Sequence, residues 1–154
     1  MPKEIFYLAY GSNMSGARLA ERVGQIASRG IATLAGHILK FHKLSRDGTG
    51  KCDAFETGNA DDKVIGVVFT LSRYQKPVLD RFEGLGFGYK EKQVSVTVGG
   101  DEIEAMTYVA DESAIRAELR PTRIYRQHVL DGAAEHGISQ DYIAAFISSV
   151  PTID

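Results

Sequence analysis

The stretch that most constrains this fold is Ile5-Phe6-Tyr7-Leu8-Ala9-Tyr10-Gly11-Ser12-Asn13. Residues 5–10 are aliphatic or aromatic and carry no charge, the signature of a buried strand. Gly-Ser-Asn ends it, and residues 17–23 change to a helix-like pattern. Ser15 is placed to cap that helix and Gly24 to end it. A buried strand passing directly into a helix requires a fold mixing sheet and helix. Small residues in such a turn let a ligand approach the backbone. The first N–H groups of the helix have no intrahelical acceptor and suit a carboxylate or an oxyanion. A purely structural turn would use the same residues.

Further along, residues 25–34 are partly alternating, with a bend expected at Gly30, and residues 36–44 read as a strand. Residues 45–51 form a polar loop with two glycines, and 52–57 a short strand. Residues 64–71 are the clearest buried strand. Ser72 and Gln75 make a capping box for a helix ending at Gly84. Pro77 fits there only if the helix begins close to Lys76. Residues 90–98 and 102–110 alternate on either side of Gly99-Gly100, a hairpin pattern. A helix is expected from 121–122 to about 136, and a last one from 142 to 150, stopped by Pro151. Strands outnumber helices and several adjoin as hairpins. The expected fold is α+β: a small mixed, mainly antiparallel barrel with flanking helices, as one domain over 1–154.

With 154 residues, 44% of them hydrophobic, the chain can bury a core without metals or disulfides. A net charge of -2 gives no case for nucleic acid or an anionic membrane. The single cysteine, Cys52, excludes an intrachain disulfide and fits a cytoplasmic location. The apolar run 5–9 is too short for a signal segment or a membrane span.

Four features could carry chemistry. One is the turn at residues 7–13. Another is Glu83, which ends a helix where the negative end of the helix dipole opposes its ionisation. Burial beside Phe82 would add to that effect and make a base able to return its proton; a solvated glutamate at a frayed end is the plainer reading. Tyr89 and Tyr108 either aim phenols into a cavity or pack with satisfied hydroxyls. Tyr125 and His128, three apart on one helix face, read as packing residues. Cys52 has no histidine partner and reads as a core residue. The histidines His37, His42, His128 and His136 lack metal-ligand spacing, so no cofactor or metal is expected.

Tyr10-Gly11-Ser12-Asn13-Met14 closing the first strand resembles the Tyr-Gly-Ser-Asn motif of the γ-glutamylcyclotransferase-like superfamily. Leu79-Asp80-Arg81-Phe82-Glu83-Gly84, followed by a glycine loop and Tyr89, resembles that superfamily's catalytic-glutamate segment. Val64-Ile65-Gly66-Val67-Val68-Phe69 and the 125–142 stretch are similar to its corresponding strand and helical end. The resemblance implies a small barrel with a cavity at one end. It implies release of 5-oxoproline from a γ-glutamyl amino acid or amine, with Glu83 as general acid/base and no cofactor. It places Tyr7, Leu8, Ala9, Tyr10, Gly11, Ser12, Asn13 and Tyr108 at the substrate, with Tyr89 as a further wall. Apart from the resemblance, the loop character of the charged, glycine-rich segment 43–51 makes it a candidate border of the leaving-group side. The implied partner is a small γ-glutamyl molecule, bound by a monomer or homodimer. A non-catalytic binding module on the same fold is the alternative. A phosphate-handling enzyme is disfavoured, since the turn lacks a nearby lysine and metal-binding carboxylate.

Overall fold

The computed structural model describes residues 4–154; Met1, Pro2 and Lys3, and with them the start of the expected single domain, lie outside the described residues. In chain order the strands are β1 (Ile5–Ala9), β2 (Ala27–Ala35), β3 (His37–Leu44), β4 (Gly50–Glu56), β5 (Lys63–Leu71), β6 (Tyr89–Val98) and β7 (Asp101–Ala110). Five of them close a barrel in the order β1-β5-β2-β6-β7. Its pairings are antiparallel except β1 with β7, which run parallel at Tyr7 and Met106. This is the expected mixed, mainly antiparallel barrel.

Side-chain patterning explains the closure. β5 buries Val64, Val67, Val68, Phe69 and Leu71, and β1 buries Leu8 and Ala9 against it. β6 buries Val94 and Val96 and exposes the charged and polar residues between them, so only one of its faces is apolar. The bend expected at Gly30 is a bulge in the β2–β5 register between Ser28 and Gly30.

β3 and β4 form a separate two-stranded sheet. Asp53 ties this hairpin to the barrel: its Oδ1 accepts from the Ala110 N–H at 2.8 Å, while Oδ2 lies 2.6 Å from His42 Nε2. Buried carboxylates are tolerable only with such partners.

The helices are α1 (Gly16–Val23), α2 (Gln75–Glu83), α3 (Arg123–Glu135) and α4 (Gln140–Ile143). Ser15 caps α1 through Arg18 N at 3.3 Å. Ser72 and Gln75 exchange bonds as a capping box, at 3.1 and 2.9 Å. Since α2 begins at Gln75, Pro77 falls in its first turn, where its missing N–H has no intrahelical role. The single last helix expected over 142–150 is instead divided. α4 stops at Ile143 and a wide π turn, Ala144–Ser148, carries the chain to Pro151. No helix among the described residues is long and apolar enough to cross a membrane.

Candidate active site

The turn after β1 is a short 3-10 segment, Ser12–Met14. Its glycine has a packing reason. A Cβ on Gly11 would stand 3.0 Å from Cys52 Cβ and 3.2 Å from its Sγ. α3 seats the turn from the other side: a Cβ on Gly132 would meet Ser15 N at 2.6 Å and Met14 Cβ at 2.7 Å. His136 Nε2 adds a bond to Met14 O at 2.8 Å. Within this frame the N–H groups of Gly11, Ser12 and Asn13 have no backbone acceptor among the described residues.

Glu83 is the last residue of α2, and Gly84 turns the chain away in the left-handed conformation with φ 66°. The carboxylate and the turn line one cavity of about 380 Å³. Arg22 of α1 reaches Glu83 Oε2 at 3.4 Å. Burial pushes the Glu83 carboxyl above its ordinary range, and Arg22, Lys43, the Asn13 amide and Arg18 act against that rise. The result is a glutamate that is harder to ionise than usual yet surrounded by groups that stabilise its anion.

Tyr7, Tyr10, Tyr89 and Tyr108 line the cavity with this carboxylate, and three of these four have their protons committed. Tyr10 donates to the Tyr108 carbonyl at 2.5 Å, Tyr108 to Asp80 Oδ1 at 2.5 Å, and Tyr89 to the Cys52 carbonyl at 2.5 Å. Their oxygens therefore present lone pairs to the cavity. Tyr7 accepts from Asn13 Nδ2 at 3.0 Å and stands edge-on to the Tyr108 ring at 5.8 Å. Burial holds all four phenols above their ordinary pKa, so they stay neutral. Burial also pushes the Cys52 thiol up to about 12. It is 2% exposed, as expected of a core residue, and a thiol so protonated is no nucleophile near neutral pH.

Of the residues expected at the site, Tyr7, Tyr10, Gly11, Ser12, Asn13, Glu83, Tyr89 and Tyr108 line the cavity together. Leu8 and Ala9 do not: both are buried in the core of β1. Lys43, Ser45, Arg46 and Lys51 bring the 43–51 segment to the cavity. Tyr125, read from sequence as a packing residue, is buried but also lines the cavity, and its hydroxyl accepts from Cys52 N at 3.2 Å. Arg18, Arg22 and Arg81 were not singled out by the sequence and also line it. The first two are four apart on α1, a spacing that places them on one helix face and could have marked them.

The sequence profile of the AIG2-like family matches residues 63–146, more than half of the chain. No curated protein matches the chain in sequence. Among solved structures, one described as a gamma-glutamyl cyclotransferase is 25% identical, with a TM-score of 0.88 over 99% of this chain and 90% of that one. An uncharacterized protein from Homo sapiens is 26% identical, with a TM-score of 0.87 over 98% and 90%. A gamma-glutamyl cyclotransferase specific to glutathione, from yeast, shares the fold at 14% identity, with a TM-score of 0.68 over 92% and 93%. Motifs, barrel and profile agree, and the chain belongs to the AIG2-like family.

Proposed function

We propose that this protein is a cyclotransferase that releases 5-oxoproline from a small γ-glutamyl compound. One observation carries the reading. Glu83 and the Gly11–Asn13 turn, far apart in sequence, line the same cavity, and burial has raised the glutamate's pKa. The strong structural likeness to a gamma-glutamyl cyclotransferase supports it.

The γ-glutamyl α-ammonium lies against Glu83 and the phenol oxygens of Tyr10 and Tyr108. Asn13 Oδ1, buried with no protein partner among the described residues, is a further acceptor for it. Glu83 removes one ammonium proton. The freed amine attacks the γ-carbonyl carbon, closing a five-membered ring and leaving a tetrahedral oxyanion. The free N–H groups of Gly11, Ser12 and Asn13 hold that oxyanion. As the tetrahedral centre collapses, Glu83 returns its proton to the leaving nitrogen while the C–N bond breaks, then takes the second proton from the ring nitrogen and passes it to the released amine, so that the amine departs as an ammonium and Glu83 ends ionised. The products are 5-oxoproline and a free amine or amino acid. Attack is intramolecular, so holding the substrate folded supplies much of the acceleration. No covalent enzyme intermediate is required.

The test is to incubate the protein with a panel of γ-glutamyl amino acids and amines and to assay 5-oxoproline. Turnover by the wild type that is lost in Glu83→Gln supports the reading. Silence across the panel, or full activity in Glu83→Gln, removes it.

A further inference from the structure

The register of the β3–β4 hairpin places Lys43 directly opposite Lys51. Residues opposed in an antiparallel pair put their side chains on the same face, with Cβ atoms about 5 Å apart, and like charges there repel. Both side chains line the cavity. Lys51 has one long ion pair and Lys43 has none among the described residues. Lys51 Nζ lies 3.8 Å from Asp47 Oδ2, and Asp47 is already bonded by Ser45 and Thr49. Lys43 forms no ion pair among the described residues, yet it is 8% exposed. The two ammoniums rest on aromatic rings instead, Lys43 over Tyr89 at 4.5 Å and Lys51 over Tyr125 at 4.3 Å. Contacts of that kind offset only part of a buried charge. Burial lowers the pKa of both lysines, as expected of cations short of counter-charge.

The surroundings do not balance them. Arg18 Nε is buried without a partner among the described residues. Arg46 and Arg81 also line the cavity, while its one acidic lining residue, Glu83, is engaged by Arg22. A chain of net charge -2 has thus gathered six cations around one carboxylate. A γ-glutamyl group cannot neutralise that excess, since its α-ammonium and α-carboxylate cancel. Compensation has to come from the leaving group.

Resting on the cyclotransfer reading, we infer that the leaving group is an acidic amino acid, whose carboxylates are read by Lys43 and Lys51. A neutral amine would leave the buried Lys43 without a counter-charge and Lys51 with only its long pair to Asp47. A neutral amino acid would bring one carboxylate, and glutamate or aspartate brings two. The hairpin therefore sets specificity for a leaving group that the γ-glutamyl end does not sense.

The experiment compares γ-glutamyl-glutamate, γ-glutamyl-glutamine and γ-glutamyl-butylamide, which lose negative charge in steps. kcat/KM for 5-oxoproline release is measured, together with Kd for Glu83→Gln by calorimetry. Wild type favours the glutamate compound over the glutamine compound by about tenfold or more, the worth of one charged hydrogen bond, and the butylamide falls lower again. In Lys43→Met and Lys51→Met the glutamate-to-glutamine ratio moves toward one, whereas Lys51→Arg keeps it. Both methionine variants melt at or above the wild-type temperature, because a repulsive, desolvated charge has gone. Equal kcat/KM and equal Kd for the glutamate and glutamine compounds in the wild-type pocket overturn the inference. So does a ratio unchanged in both methionine variants, or a large fall in melting temperature in both. If none of the three compounds releases 5-oxoproline, the wider γ-glutamyl panel decides the cyclotransfer reading. The Kd ratio then decides the charge preference separately.

Discussion

The two walls of the cavity are built on opposite plans. The wall formed by β1 with its following turn, β7 and α2 fixes its side chains by internal bonds, Tyr10 on the Tyr108 carbonyl, Tyr108 on Asp80 and the Asn13 amide on Tyr7, and leaves open the turn's N–H groups and Asn13 Oδ1. The wall formed by the β3–β4 hairpin and α1 presents cations with few partners, at Lys43, Lys51, Arg18 and Arg46. Internal satisfaction fixes geometry, which proton transfer and oxyanion binding need. Unmet charge reserves binding free energy for an arriving anion. Under the proposed cyclotransfer, the contrast gives chemistry to the first wall and recognition to the second. The largest effect should therefore follow from a change to the first. Glu83→Gln is expected to lower kcat for 5-oxoproline release by about 10²- to 10⁴-fold, the usual contribution of a general acid/base. If it changed KM alone, the glutamate would belong to recognition and the division would fail.

Two further changes separate the walls more finely. Gly132→Ala drives a methyl group into Ser15 N and Met14, backbone as well as side chain. The helix gains a better helix former, but overpacking costs about 1–3 kcal/mol. A lower urea midpoint is expected. Activity should fall equally for acidic and neutral leaving groups, because the turn moves and the hairpin does not. A selective loss would mean that the turn also reads the leaving group. A smaller effect is expected of Tyr108→Phe, which removes the bond to Asp80 and leaves that carboxylate to Lys76 at 2.9 Å. Its cost is about 0.5–1.5 kcal/mol in stability. A rise in KM larger than the fall in kcat would fit an acceptor for the substrate ammonium.

The first wall was far more legible in the sequence than the second. Gly11-Ser12-Asn13 and Glu83 each carry local marks, a broken apolar strand and a capped helix ending at glycine, and these survive folding. The barrel was legible for the same reason, since the alternation of β6 and β7 and the apolar run of β5 are local patterns. Tyr125 was not, because its place in the cavity depends on how α3 packs against Cys52, a contact between distant residues. The lysine pair was half visible. Residues 43–51 were recognisable as a charged loop, but the facing of Lys43 and Lys51 arises from a register shift between Lys40 and Lys43. A one-residue difference in that shift would send one of them to the other face. Leu8 and Ala9 show the reverse error: a motif names consecutive residues, but the strand sends these two into the core.

The smallest effect tests whether the catalytic wall carries strain of its own. Burial raises the Glu83 pKa above the 4.5 of an unperturbed glutamate, so the native state holds the proton more tightly than the unfolded chain. The stability gained through that proton is fully present below the unfolded pKa and is lost as pH rises through the folded value. At neutral pH the ionised Glu83 is thus a net burden on the fold, reduced by Arg22 at 3.4 Å. Glutamine mimics the protonated form. Glu83→Gln should therefore unfold at a higher temperature than wild type at pH 7, and the gap should close as pH falls below about 4.5. The same raised pKa predicts that the acid limb of the wild-type kcat/KM profile lies above the ordinary carboxylate range. A variant less stable than wild type at pH 7 would show that Arg22 outweighs burial. Glu83 would then be held by an ion pair, and its wall would resemble the cationic one more than the contrast allows.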